Sequence, residues 1–336
     1  MKRREFLKTT AAGIGVASLP VVVRSAHAVD ETAPAATRYP GKLVVVKSTK
    51  ALASRQLPSA SVVEDMVGRA IMGLTGKPDV ASAWGEFVHR NDRVGIKPNA
   101  LGGRTISTNK EVVHAVIKGI IAAGVPVENI VVWEQYPWMM RAMRGYINVA
   151  PDIKVEGVIT KREGWSKKIH RFAGKATQVC KVIERITAFI NIPVLKDHDL
   201  FGVTVAMKNI THGTIIHPPT YHSRRSDQIA RIYADPLYMK KHRVVIADWL
   251  RAQYEGGPQG KPQYRADVHT IAAATDMVAI DAYGYDLVER LRRESKFKLK
   301  PLKGSAREPK YIEAAAKLGL GVADLTKCKI DEINLG

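Results

Sequence analysis

The densest group of chemically capable side chains lies between residues 196 and 222, where four of the ten histidines occur. Neutral imidazole is a common ligand of zinc, copper, iron and nickel, and a carboxylate often completes such a site. The histidine spacing matches neither a zinc-protease helix nor a zinc finger, so a histidine-rich surface loop remains the alternative. The sequence predicts a transition-metal site whose ligands are His198, His212, His222, Glu134 and Asp248.

Three lysines form a second group, because each lies at or just after an apolar run of the sequence. A lysine in such a position can hold a carboxylate or phosphate, or act as an acid, a base or an amine nucleophile. A solvated surface lysine is the alternative for each one taken alone, and their shared position favours function. We predict catalytic roles for Lys97, Lys196 and Lys208, and substrate contacts from Asn99, Asn209, Gly256, Gly257 and Asp276.

These side chains are carried by strands that alternate with helices along the chain. Apolar runs predict strands over 43–46, 93–96, 130–133, 188–195 and 244–247. Helical spacing of apolar residues predicts helices over 62–74, 110–123, 277–293 and 309–318, with Asp276 as the N-cap of the third. This alternation predicts an α/β fold with a largely parallel sheet flanked by helices, and two lobes around a central crevice are one form of it.

The predicted strand ends suggest how distant residues meet. Lys97, Glu134, Lys196 and Asp248 each follow a predicted strand. In open α/β sheets, ligands bind in the crevice outside the carboxyl ends of the strands. We therefore expect these loops to converge on one site.

Composition excludes several protein classes. The 336 residues are 46% hydrophobic, an ordinary globular mixture that argues against disorder and against a membrane protein with several spans. Two cysteines, Cys180 and Cys328, cannot by themselves hold an iron–sulfur cluster or a four-thiolate zinc ion, although they could pair with each other. No serine elbow, Cys–His pair or P-loop is evident, so serine hydrolase and NTPase functions are disfavoured. The formal charge of +20 suggests an anionic partner, although few aromatic residues are present to stack on nucleic acid.

The N-terminus resembles a twin-arginine export signal. Arg3 and Arg4 precede a weakly apolar stretch over 9–23, and Ala26-His27-Ala28 has the small-x-small pattern of a cleavage site. A basic N-terminus on a cytosolic helix is the alternative. We expect a signal peptide over 1–28, cleaved after Ala28, a linker over 29–41 and one α/β domain over 42–336. The mature protein would be periplasmic, exported by the twin-arginine machinery, without a stable transmembrane anchor or a nucleic-acid partner.

Several segments in order resemble the domain of unknown function 362 family over about residues 42–325. The matching motifs are Ile-Lys-Pro-Asn ending at Asn99, Pro-Val-Leu-Lys-Asp-His ending at His198, Met-Lys-Asn ending at Asn209, Gly-Gly-Pro ending at Pro258 and Ala-Thr-Asp ending at Asp276. The resemblance implies an α/β fold and redox or metal-linked roles. Many relatives carry ferredoxin-like clusters on cysteine runs, which this chain lacks, and Met277 stands where the family usually has proline.

Together these features predict an exported metal-dependent enzyme, with redox chemistry as one option, that acts on a small anionic substrate. The alternative is a non-catalytic envelope protein that binds metal, or a maturation factor for an exported redox partner. A basic protein that binds anionic polymers is a third hypothesis, and it would not need the histidines.

Overall fold

The computed structural model describes residues 38–52, 57–142, 148–150, 153–222 and 227–336. The predicted signal peptide and most of the predicted linker lie outside these residues. Within the described part of the chain, no helix has the length and apolar character needed to cross a membrane.

A ten-stranded mixed sheet forms the centre of the molecule. Two further hairpins, β4–β5 and β7–β8, lie outside it. The strands are β1 (Lys42–Lys47), β2 (Val94–Pro98), β3 (Ile130–Glu134), β4 (Asn148–Ala150), β5 (Ile153–Lys154), β6 (Glu156–Ile159), β7 (His170–Phe172), β8 (Lys175–Thr177), β9 (Ala188–Ile192), β10 (Val194–His198), β11 (Gly202–Thr204), β12 (His242–Gln253), β13 (Arg265–Ala274) and β14 (Lys329–Asn334).

The strand order in the sheet is β14-β1-β13-β12-β9-β2-β3-β6, and β10 extends the edge of β12 and pairs with β11. The pairs β1–β14, β10–β12, β12–β9, β2–β9, β2–β3 and β3–β6 are parallel. The pairs β1–β13, β12–β13 and β10–β11 are antiparallel. The predicted α/β class with a largely parallel sheet is confirmed.

Helices cover both faces of the sheet. They are α1 (Ala60–Thr75), α2 (Val80–Gly85), α3 (Lys110–Ala122), α4 (Pro137–Ala142), α5 (Thr160–Glu163), α6 (Lys181–Arg185), α7 (Ala206–His212), α8 (Asp227–Tyr233), α9 (Pro236–Met239), α10 (Met277–Glu294) and α11 (Tyr311–Lys317). The alternating side chains of β1 show the two layers, because Val44 and Val46 pack with α1 and α3 whereas Leu43 and Val45 pack with α10 and α11.

Two predicted strands differ from the structure. The run over 188–195 is two strands, because Pro193 has no N–H for a ladder and separates β9 from β10. The run over 244–247 belongs to the twelve-residue β12, so Asp248 lies within a strand and not after one. Lys196 and His198 also lie inside a strand, β10. The expectation that every polar group follows a strand end was therefore wrong for these residues.

Candidate functional site

A small cavity of about 190 Å³ opens beside the carboxyl ends of β2 and β3, against β10 and α7. Parallel neighbours β2 and β3 end at the same edge of the sheet, and β10 and α7 complete the walls. Eight residues predicted from sequence line it: Lys97, Asn99, Glu134, His198, Lys208, Asn209, His212 and His222. The fold therefore brings together residues that are up to 125 positions apart in the chain.

One wall is a satisfied ion pair between neighbouring strands. The Nζ of Lys97 lies 2.8 Å from Oε2 of Glu134 and donates to the carbonyl of Pro98 at 2.7 Å. Glu134 also accepts from the backbone N–H groups of Ala100, at 2.8 Å, and Gln135, at 3.2 Å. Both side chains are nearly fully buried, so the pair neutralises its own charge and leaves little capacity for another ion.

A chain of buried amides leads from the backbone to Lys196. Asn191 donates to the carbonyl of Ala206 at 2.8 Å and accepts from Asn209 at 2.7 Å. The side-chain oxygen of Asn209 accepts from the side-chain amide of Asn99 at 3.0 Å. The side-chain oxygen Oδ1 of Asn99 in turn accepts from Nζ of Lys196 at 3.0 Å. Each donor fixes the orientation of the next amide, so the chain presents an oxygen to the Lys196 ammonium.

Lys196 and Lys208 are buried without the close carboxylate partner that Lys97 has. In the part of the chain that the structure describes, neither makes an ion pair with a carboxylate. Burial, followed by the neighbouring Lys208 ammonium, lowers the pKa of Lys196 to about 7. Burial also lowers the pKa of Lys208 to about 7, against the opposing effect of the Asp199 carboxylate. An anion in the cavity would favour the protonated form of these lysines.

Three histidine rings meet at the same cavity. The ring centres of His198 and His222 are 5.6 Å apart, and those of His212 and His222 are 4.9 Å apart, with Phe201 in contact with all three. Burial, and then the Lys208 ammonium, lowers the pKa of His222 to about 4 and lowers those of His198 and His212 well below the ordinary histidine value. The three imidazoles are therefore neutral near pH 7.

Hydrogen bonds on Nδ1 set the tautomers. Nδ1 of His222 lies 2.8 Å from the carbonyl of Pro218, which can only accept, so Nδ1 carries the proton and Nε2 a lone pair. Nδ1 of His212 contacts the Thr211 hydroxyl at 3.2 Å; that hydroxyl donates to the carbonyl of Met207, so its oxygen accepts from His212. Nε2 of His212 is buried and has no partner among the described residues.

The third histidine has two partners on Nδ1. This atom of His198 lies 3.0 Å from the Asp199 carboxylate and 3.1 Å from the N–H of Leu200. The first contact needs a proton on Nδ1 and the second needs a lone pair, so each neutral tautomer of His198 has a partner.

The predicted metal ligands are only partly assembled. Within the described ranges, no group of three or more His, Cys, Asp or Glu side chains is arranged so that it could hold a metal ion. Glu134 is engaged by Lys97, and Asp248 is not among the cavity-lining residues. Asp248 instead accepts from the N–H of Asn109 at 2.6 Å and from its side-chain amide, which anchors the residue before α3. The bound metal itself stays a prediction.

The remaining predicted contacts lie outside the cavity wall. The N–H of Gly257 donates to Asp197 at 3.0 Å, and a side chain at Gly257 would collide with the Asp197 carbonyl, so glycine permits this approach to β10. Gly256 precedes it with a φ of 72°. Asp276 is the N-cap of α10, as predicted, and also accepts from the N–H groups of Gly41 and Val322. Gly256, Gly257 and Asp276 therefore each have a structural role, as a left-handed backbone position, a close approach to β10 and a helix cap.

Sequence reasoning missed an ion-pair network behind β10. The buried carboxylate of Asp197 contacts Arg307 and lies 3.8 Å from Arg292, and both arginines pair with Glu255. Burial raises the pKa of Asp197 to about 7 in spite of Arg307. Nothing in the spacing of these residues signals the contact. Asn191 could have been found, because it is the one polar residue inside an otherwise apolar run.

Comparisons with known proteins give a family-model match and matches to solved structures. Residues 94–286, which include every residue lining the cavity, match the family model described as Domain of unknown function (DUF362). A solved structure of the lactate racemase apoprotein from Thermoanaerobacterium thermosaccharolyticum aligns with a TM-score of 0.41 and 12% identity, over 76% of this chain and 58% of that chain. The chain thus spans less than two thirds of that neighbour. No curated protein matches the chain by sequence.

Proposed function

The chain belongs to the family described as Domain of unknown function (DUF362), and from that premise we propose that it is an enzyme acting on a small anionic substrate bound in the cavity beside Lys208. One observation carries the proposal: two buried lysines, Lys196 and Lys208, have no carboxylate partner in the described residues, and Lys208 lines the cavity. Buried charges in proteins are normally paired, so a lysine at a cavity without a carboxylate partner, with a second such lysine behind it, marks a place for an anion.

The size and polarity of the cavity narrow the substrate. At about 190 Å³ it is smaller than the usual pocket for a drug-sized ligand, which favours a compact carboxylate or phosphate. Asn99 and Asn209 add amide groups to the wall, and His222 places a lone pair 3.5 Å from Nζ of Lys208. This pair of nitrogens is within reach for proton transfer, which supports an enzyme over a passive binding site.

Calorimetric titration with inorganic phosphate and with acetate tests the anion site. We expect Lys208→Met to weaken binding of the favoured anion by roughly 10- to 100-fold, because a charged hydrogen bond contributes about 1.5–3 kcal/mol. Lys327→Met is the control, since its side chain is 76% exposed and is not among the residues that line the cavity. Equal affinity in the wild type and Lys208→Met would remove the proposal. Binding without turnover across a panel of small acids would favour the non-catalytic alternative.

A metal-dependent form of this function is favoured by a different observation. Nδ1 of each cavity histidine has an acceptor on the protein, and Nε2 of His212 is buried without a partner among the described residues. Histidine ligands commonly donate their other ring nitrogen in this way. The type of donor atom therefore fits a transition metal, which would supply Lewis-acid chemistry. The positions of the side chains do not fit one, because no three of them among the described residues are arranged to hold a metal ion. No step proposed below depends on a metal.

A further inference from the structure

A basic segment over residues 293–310 runs from the last turn of α10 to the residue before α11. It contains seven basic residues and only two acidic ones, and three of its lysines alternate with apolar residues in the run Lys-Phe-Lys-Leu-Lys-Pro. Arg307 belongs to the ion-pair network behind β10. The six other basic residues are exposed, and within the described part of the chain none of them makes an ion pair with a carboxylate; they are Arg293, Lys296, Lys298, Lys300, Lys303 and Lys310.

The basic segment is held to the rest of the protein from its inner side. Leu302 is 1% exposed and packs in the core. The guanidinium of Arg292 donates to the carbonyl of Lys300 at 2.6 and 3.2 Å, and the N–H of Lys303 donates to Glu289 at 2.7 Å. These bonds use the backbone of the two lysines and leave their ammonium groups at the surface. The positive charge is therefore presented by an anchored stretch of chain, and little backbone ordering is needed for it to bind a partner.

An exposed aromatic side chain lies among these charges. Phe297 is 39% exposed, its ring centre lies 5.0 Å from that of Tyr264, and Nζ of Lys296 lies 5.4 Å from the same ring centre. A soluble polyanion engages the ammonium groups alone, whereas an anionic bilayer also takes up an apolar side chain at the level of its headgroups. The alternation of lysines with Phe297 and the half-buried Leu299 therefore favours a lipid surface as the partner.

We propose that the basic segment is a docking surface for a membrane that contains anionic phospholipids. Its exposed lysines contact the headgroup phosphates, and Phe297 enters the headgroup layer between them. The contact is peripheral and depends on salt, because its main component is attraction between exposed charges. The segment contributes no residue to the cavity beside Lys208, so this inference is independent of the proposed function.

Sedimentation with lipid vesicles tests the docking surface. The vesicles are phosphatidylcholine alone, or phosphatidylcholine with an equal amount of phosphatidylglycerol. Both the full chain and the chain from Val29 onward are measured, because residues 1–28 are themselves basic and partly apolar, and variants are compared within each form. The wild type should bind only the anionic vesicles. Joint replacement by Lys296→Gln, Lys298→Gln and Lys300→Gln should weaken that binding by roughly 100-fold, because each lysine at an anionic surface contributes about fivefold.

Two controls separate a membrane from other partners. The triple variant Lys161→Gln, Lys167→Gln and Lys168→Gln removes the same charge from another exposed part of the chain and should bind like the wild type. Phe297→Ala should weaken vesicle binding about fivefold and leave binding to heparin, a soluble polyanion, unchanged. Circular dichroism checks that each variant is folded. A wild type that ignores anionic vesicles, an equal loss in both triple variants, or heparin binding as tight as vesicle binding with no effect of Phe297→Ala on either would each overturn the inference.

Discussion

At the scale of single residues, the neighbours of a lysine decide its chemistry. Lys97 has a carboxylate at 2.8 Å and a carbonyl at 2.7 Å, so its charge is structural. Lys196 has an amide oxygen at 3.0 Å, and Lys208 has an imidazole nitrogen at 3.5 Å. Similar positions in the sequence thus give one satisfied ion pair and two buried lysines that have no carboxylate partner in the described part of the chain. We expect the second kind to attract substrate.

The histidines carry a prediction of their own at this scale. If the histidines form a metal site, protein purified without chelators or nickel affinity should hold a near-stoichiometric transition metal, because neutral imidazoles whose Nδ1 has an acceptor resemble metal ligands. His198→Ala should lose that metal and remain folded, and mass spectrometry measures the content. His89→Ala is the control, since that histidine lies in the loop between α2 and β2 and is not among the cavity-lining residues. Full metal content in folded His198→Ala would contradict the assignment of His198 as a ligand. A wild-type protein without metal would contradict the metal site and leave the anion site at the lysines as the remaining proposal for the cavity.

At the scale of elements, one carboxylate positions the helix that supplies three cavity residues. Asp281 in the second turn of α10 accepts from the N–H groups of Ala206, at 2.7 Å, and Met207, at 3.3 Å, which begin α7. It also accepts from the hydroxyl of Tyr311 in α11 at 3.0 Å. These contacts join three helices around the first turn of α7, whose free N–H groups need acceptors. The position of Lys208 therefore depends on Asp281.

Replacement of Asp281 should change how stability depends on pH. Burial raises the pKa of Asp281 from 3.8 to about 7, so the folded state favours the protonated acid. The resulting stability is present below pH 4 and is lost as pH rises to about 7. The asparagine of Asp281→Asn cannot ionise. The difference in free energy of unfolding between this variant and the wild type should therefore shift in favour of the variant as pH rises from 4 to 7, by at most about 1.4 kcal/mol per pH unit. Above pH 7 the difference should stay constant. Urea unfolding at a series of pH values measures the difference, and parallel curves would contradict the prediction.

The elements also show how far sequence patterns reach. Apolar spacing predicted α1, α3 and α10 closely; α1 and α3 each bury one stripe, whereas the first eight residues of α10 are all buried. The same logic placed Lys97 and Glu134 at neighbouring strand ends. It failed for Asp248, because period and polarity alone do not show that β12 continues for five residues beyond it. The contacts of Asp197 with Arg307 and of Asp276 with Gly41 join distant segments, and no local pattern encodes such pairings.

At the scale of the whole molecule, the two ends of the described chain are held together. The strands β1 and β14 pair in parallel at one edge of the sheet. Nearby, Asp276 accepts from the N–H of Gly41 at 3.1 Å and from that of Val322 at 2.9 Å. Contacts over such separations form only after nearly the whole chain has been made.

The export signal gives the last prediction, and its residues lie outside those the structure describes. Protein recovered from the periplasm should begin at Val29 and contain 308 residues with a formal charge of +16. Joint replacement of Arg3 and Arg4 by lysine should leave full-length protein in the cytoplasm, because the export machinery requires the arginine pair, whereas Arg24→Lys serves as the control and should be exported normally. Fractionation and intact-mass measurement decide between these outcomes. Uncleaved wild-type protein confined to the cytoplasm would remove the export hypothesis and leave the cavity chemistry unaffected, because every cavity residue lies beyond residue 96.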